Sequence, residues 1–232
     1  MLRGHDVSNG TGTTPTAAGD KKGPAFAASR WCTRTWWSYG DGVRNFGYAL
    51  DAVMEPRGIK ILPGALVCEE SKLRGDITIG SGTIVHPRAS IIAEAGPIII
   101  GEYCLIEEQV RIVHRLPFDQ RNKENSTPVL LIGSHNVFEV DCNVESPKIG
   151  SNNVFEAKCF VGNRVTVSDG CIIGAGCRLT EEQTLKDKMI IYGSRCQMRE
   201  GLDKPQPQTL QIETLTKMLP NYHHIKKSNK KN

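Results

Sequence analysis

The side chains of this chain best able to hold a metal ion or move a proton are six histidines and eight cysteines. Three neutral imidazoles on one zinc ion would lower the pKa of a bound water and supply hydroxide at neutral pH. A single histidine at the root of a projecting loop would instead act as a general base. His86, His114 and His135 are spread through the middle of the sequence, and His223 and His224 are adjacent near its end. Adjacent residues rarely converge on one ion, so that pair reads as solvated or packed. Structural zinc sites place cysteines in CxxC-type spacing, and no CxxC occurs. His114 precedes the polar stretch Arg115 to Pro128, which reads as a surface loop. It is the candidate base, to be weighed against an ordinary surface histidine at a loop root.

Whatever holds these residues is set by a period of six. In LRGDITIGSGTIVHP the aliphatics Leu73, Ile79 and Val85 recur at that interval, which suits neither a helix nor a simple strand. The series runs Ile61, Val67, Leu73, Ile79, Val85, Ile91, slips three residues through Gly96-Pro97, and resumes at Ile100, Ile106 and Ile112. It returns after the polar stretch at Ile132, Phe138 and Val144, drops one residue, and continues unbroken from Ile149 through Phe155, Val161, Val167, Ile173, Leu179 and Leu185 to Ile191. A glycine follows the marker at Gly80, Gly101, Gly133, Gly150, Gly162 and Gly174, which suggests a corner. One hexad is then a short strand plus a turn, and three hexads close a triangular coil. Twenty hexads give about seven coils of an all-β solenoid whose aliphatics stack inward in columns.

The cysteines obey the same phase. Cys104, Cys142, Cys159, Cys171 and Cys177 fall four residues after a marker, where Ala65, Ser71, Thr83, Ala89 and Ala95 also fall. That position wants a small side chain, and free cysteine behaves as a small buried hydrophobe. Cys159 and Cys177 are 18 residues apart and should lie on adjacent coils. The N-terminus lacks the apolar core of a secretory signal, so free thiols are expected. A net charge of +4, partly held in a short basic tail, gives no nucleic-acid footprint. No apolar run reaches the length of a membrane span.

Three regions follow. Residues 1–57 hold no period and read as a disordered or atypical extension, with a mitochondrial presequence as the alternative on the strength of Arg30, Arg34 and Arg44. Residues 58–200 are the solenoid, with its loop at 113–130. Residues 201–232 are a proline-containing link, a helix capped at Thr209, and the basic tail. The helix is expected to present Leu210, Ile212, Leu215, Met218 and Leu219 as one apolar face and to end at Pro220. It would lie back along the solenoid or cover its open end.

RGDITIGSGTIVHP resembles the opening of the γ-class carbonic anhydrase-like branch of left-handed β-helices, and the resemblance implies that handedness. Enzymes of that branch bind zinc with three histidines. The matching segments here, LIEEQVRIV and IGSHNVFEVD, put Val113, Ser134 and Glu139 at the ligand positions, with His114 and His135 each one residue late. A one-residue shift in a strand turns a side chain to the opposite face. No catalytic, cofactor or metal residue is therefore implied, although a zinc enzyme of this branch and a hexapeptide acyltransferase remain the alternatives. LRGDITIG, ASIIAEAGPIIIGEYCLIEEQ, IGSHNVFEV and KPQPQTLQIETLTKMLPNYHHIKK together resemble the dynactin subunit six family over about residues 58–228. That resemblance implies a non-enzymatic scaffold, cytoplasmic and cytoskeleton-associated, in the pointed-end complex of the adaptor that links dynein to cargo. Its implied neighbours are a second β-helix subunit and the pointed end of the actin-related filament, with dynein reached indirectly.

Overall fold

The computed structural model describes residues 58–120 and 127–226. The extension 1–57, the loop residues 121–126 and the tail from 227 onward lie outside the described residues, and with them the presequence alternative. The strands form three sheets, and a coil visits them in turn. The first face has seven strands, from Lys60–Ile61 and Ile77–Ile79 up to Gln183–Leu185. The second has seven parallel strands, from Leu66–Val67 to Met189–Tyr192, followed by an eighth, Gln197–Glu200, that turns back antiparallel as a hairpin. The third has six, from Lys72–Arg74 to Arg178–Leu179.

The six-residue period works because the register puts marker on marker. On the first face Ile61, Ile79, Ile100, Ile132, Ile149, Val167 and Leu185 pair in succession. Their side chains are buried in one continuous core. Branched aliphatics suit this packing because their restricted rotamers cost little to fix on a pleated surface. The slip at Gly96-Pro97 and the loop are absorbed between the third and first faces, where Leu130 N donates to Pro97 O.

The glycines following the markers act differently from expectation. Positive φ falls two residues later, at Gly82, Tyr103, His135, Asn152 and Gly176. Gly80, Gly101, Gly133 and Gly150 are needed because they stack. A Cβ on Gly101 would lie 2.7 Å from the Gly133 carbonyl carbon and oxygen. Backbone on the next coil cannot yield as a flexible side chain would.

The helix spans Thr209–Tyr222, with Gln208 rather than Thr209 in the cap position. Pro220 lies inside it and does not end it. In the last turn its locked φ fits the helix and it removes a single backbone bond, while Asn221 Nδ2 donates to the Lys217 carbonyl. The buried face is also narrower than expected. Ile212 and Leu219 are buried and Leu215 packs beside them, whereas Leu210 is 80% and Met218 48% exposed. The helix lies along the second face, over Ile84, Leu105 and Val137. It runs back toward the first coil, where Ile225 bridges Cys68 in antiparallel pairing and Lys226 N donates to Val67 O. Lys226 Nζ also donates to the Glu69 carbonyl, so this lysine of the basic tail docks on the first coil.

Candidate functional site

The three positions that the γ-class resemblance assigns to metal ligands lie on different parts of the solenoid, and two of them have structural work. Val113 sits in the third-face strand Arg111–His114, paired with Ile92 and 1% exposed. Ser134 occupies the corner between the first and second faces. Its Oγ accepts from Glu102 N at 3.0 Å, and its own N donates to Ser151 Oγ at 3.1 Å. The pattern climbs the corner, because Ser151 N donates to Asp169 Oδ1 and Asp169 N to Asp187 Oδ1. Glu139 belongs to a second such ladder, at the corner between the second and third faces. There Glu107, Glu139 and Glu156 accept from Val140 N, Ala157 N and Ala175 N at 3.1, 3.0 and 2.8 Å. Each side chain satisfies a backbone donor that the turn leaves without a sheet partner.

The histidines are likewise occupied or dispersed. His114 is 2% exposed, which corrects the reading of a surface residue at the loop root. Its strand is covered as the chain leaves for the loop, and its Nδ1 lies 3.0 Å from the Gly96 carbonyl. A carbonyl can only accept, so Nδ1 is the donor in this contact. The loop root beside it is held by Arg115 to Glu94 at 2.8 Å and by Arg164 to Asp119 at 2.7 Å. His135 takes φ 58° at a corner and stacks on Tyr103 with centroids 5.5 Å apart. His86 is half-buried, and burial holds its imidazole below the ordinary value. Its Nε2 is buried with no hydrogen-bond partner. His223 Nδ1 lies 3.2 Å from Glu70 Oε1. Glu70 is held below the usual carboxylate range by its own backbone N–H and then by His223. Among the described residues, no three His, Cys, Asp or Glu side chains converge as a metal ligand set.

The seven described cysteines are free thiols. Cys104, Cys142, Cys159, Cys171 and Cys177 are all buried, as their shared position implies. The Phe160–Arg178 pairing places Cys159 and Cys177 on neighbouring coils, and the Asn143–Phe160 pairing adds Cys142 below. The adjacent Cys159 side chain and then burial push the Cys142 thiol far up. Burial pushes Cys68 and Cys104 to about 11.

Two features went unread in the sequence. Asn136 and Asn153 occupy the same small-residue position as the cysteines. Asn136 Nδ2 donates to the Gly133 and Gly150 carbonyls at 2.8 Å, while Oδ1 accepts from Asn153 N at 2.9 Å. Asn153 Oδ1 then accepts from Cys171 N at 2.7 Å. The second feature is an outward apolar row on the second face, just before each marker: Leu66, Ile84, Leu105, Val137, Val154, Ile172 and Ile190. The signal was present, since on the other two faces that position is mostly polar, as at Lys60, Thr78, Lys72 and Arg111, with Ile99, Leu131 and Phe160 the exceptions.

Comparison with known proteins agrees with this geometry. The chain is 51% identical over 173 residues to the protein named dynactin subunit 6 of Xenopus tropicalis, covering 74% of this chain and 86% of that protein. It is 48% identical over 176 residues to the dynactin subunit 6 of Nematostella vectensis, covering 75% and 96%. A hexapeptide transferase family protein from Anaplasma phagocytophilum superposes with a TM-score of 0.52 at 18% identity, over 71% of this chain and 88% of that one, which shows the left-handed β-helical fold alone. No protein-family model matches.

Proposed function

The chain belongs to the dynactin subunit 6 family, and on that premise we propose that it serves in the pointed-end part of dynactin, beside a second β-helix subunit at the end of the actin-related filament. It is a structural, non-enzymatic dynactin subunit. Its proposed work is to hold that end together in the cytoplasm, on the cytoskeleton, and to support dynein-driven transport and the attachment of cargo or adaptors. The observation that carries this reading is the 51% identity to a dynactin subunit 6 over most of both chains. A stiff prism supports it physically, since a surface already ordered before docking loses little entropy on binding. The part that works in this proposal is the solenoid of residues 58–200 with its C-terminal segment 201–232; residues 1–57 have no role in it. We also propose that Val113, Ser134 and Glu139 hold no ion.

Affinity purification of the intact chain from cell lysate, with the co-purifying proteins identified by mass spectrometry, tests the proposal. The expected result is the actin-related protein and a second β-helix subunit in comparable amounts. A homotrimer with no dynactin subunit would overturn it. Metal analysis of the purified chain is expected to find less than about one zinc per three chains. Stoichiometric zinc with carbon dioxide hydration would restore the enzyme reading.

A further inference from the structure

Cys142, Cys159 and Cys177 form a column at the start of successive third-face strands, and Cys196 stands at its top. The first three are at most 1% exposed, and Cys196 alone is partly exposed. Cys196 lies in the turn that closes the last hairpin, with φ 50°. Its Sγ is 3.2 Å from Arg178 N, the peptide neighbour of Cys177. Cys177 Sγ is 3.4 Å from the Gly193 carbonyl, which also accepts from Cys196 N at 3.0 Å. Cys177 Sγ and the Cys196 backbone N therefore share one carbonyl, and the Cys196 thiol lies against Arg178, the residue after Cys177, with its Sγ also 3.6 Å from the Arg178 carbonyl. Cys196 opens onto a groove of about 460 Å³ that it lines with Arg178, Arg195 and Ser194.

We propose that Cys196 and Cys177 are a peroxide-oxidisable dithiol at the C-terminal end of the solenoid, with Cys196 as the attacking thiol and Cys177 as the resolving one. The Cys196 thiolate attacks one oxygen of hydrogen peroxide, the O–O bond breaks, and hydroxide leaves to take a proton as water. The product is a sulfenic acid. Cys177 sulfur then attacks that sulfur, the S–O bond breaks, and the Cys177 proton leaves with the hydroxyl as a second water. Two thiols and one peroxide give one disulfide and two waters, with two electrons passing from sulfur to oxygen. Access assigns the order, because Cys177 is shut into the core and Cys196 is not. Once formed, the bond ties the closing hairpin to the last strand of the third face, and a cellular thiol reductant reverses it.

The test uses the intact, fully reduced chain. It is treated with hydrogen peroxide, quenched with an alkylating agent and mapped by mass spectrometry after tryptic digestion. The expected species joins the peptide ending at Arg178 to the peptide beginning at Cys196, two hydrogens lighter than their sum, with Cys171 on the first peptide still alkylated. Free Cys196 should fall about ten-fold while Cys159 changes less than about two-fold. In Cys177→Ser the sulfenic acid on Cys196 should persist and be trapped by dimedone. In Cys196→Ser neither the link nor loss of free Cys177 should occur. Full alkylation of Cys196 after peroxide would overturn the proposal. So would its pairing with Cys32 or with a cysteine of another chain.

Discussion

A chain that stops after Gly201 is expected to unfold at least about 10 °C lower than the full chain and to self-associate on a sizing column. The reason is the outward row on the second face. Ile84 and Leu105 are fully buried and Val137 is 7% exposed, although all three point away from the core. Their cover is Ile212, Leu215 and Leu219 of the helix, with Ile225 beyond it. Uncovering an aliphatic side chain costs about 1.5–3 kcal/mol, and 1 kcal/mol shifts the midpoint of a domain of this size by about 2–4 °C. Three or four such residues therefore account for the fall, and the exposed strip they leave accounts for the association. Point substitutions separate docking from helix propensity. Leu219→Ala should cost about 2–4 kcal/mol. Met218→Ala, at 48% exposure on the neighbouring position, should stay within about 0.5 kcal/mol. Equal effects of the two, measured by chemical denaturation, would mean that the helix does not dock as described.

The helix also shows which parts of the fold were legible in the sequence. Its existence could be read from Leu210, Ile212, Leu215 and Leu219, but its buried face could not. Helical periodicity names the apolar side chains and leaves the partner unnamed. Here the partner is a flat sheet that receives only Ile212, Leu215 and Leu219. The partner could have been found, because the residue before each second-face marker is apolar from Leu66 to Ile190. A six-residue period is set by the inward side chain, and the outward one needs a period of eighteen to stand out. Corners were harder. A glycine after a marker suggests positive φ, yet Gly101 is there to let coils approach, and the positive φ falls to Tyr103 and His135. Close approach between coils is a relation between distant residues, and local sequence carries no direct sign of it. His114 misled for the same reason, since the Gly96 carbonyl that engages it lies 18 residues earlier.

Phe138→Ala is expected to cost about 3–5 kcal/mol, among the largest effects of any single substitution in this chain. The second-face interior column is otherwise made of Val67, Val85, Ile106, Ile173 and Ile191, and only Phe138 and Phe155 are aromatic. Their rings stack at 4.7 Å and 6°, and neither is measurably exposed. Neighbouring coils cannot close the gap left by one ring, because seven rungs of register on the first face fix their spacing. Stacked aromatics add about 0.5–1.5 kcal/mol beyond their burial. Each single substitution therefore forfeits that shared contact, and the double variant Phe138→Ala, Phe155→Ala should fall short of the summed losses by about 1 kcal/mol. In a solenoid the damage also has a location. Each coil is held chiefly by its neighbours, so two holes in the middle weaken the coupling of the coils below to the coils above. The C-terminal segment opposes that separation, since it is held at the last coil, where Lys188 Nζ donates to the Leu202 carbonyl, and at Cys68 on the first coil. The double variant in the full chain should therefore still unfold in one denaturant-induced step, whereas the same pair in a chain ending at Gly201 should unfold in two. One step in both chains would show that coil-to-coil contacts alone carry the cooperativity.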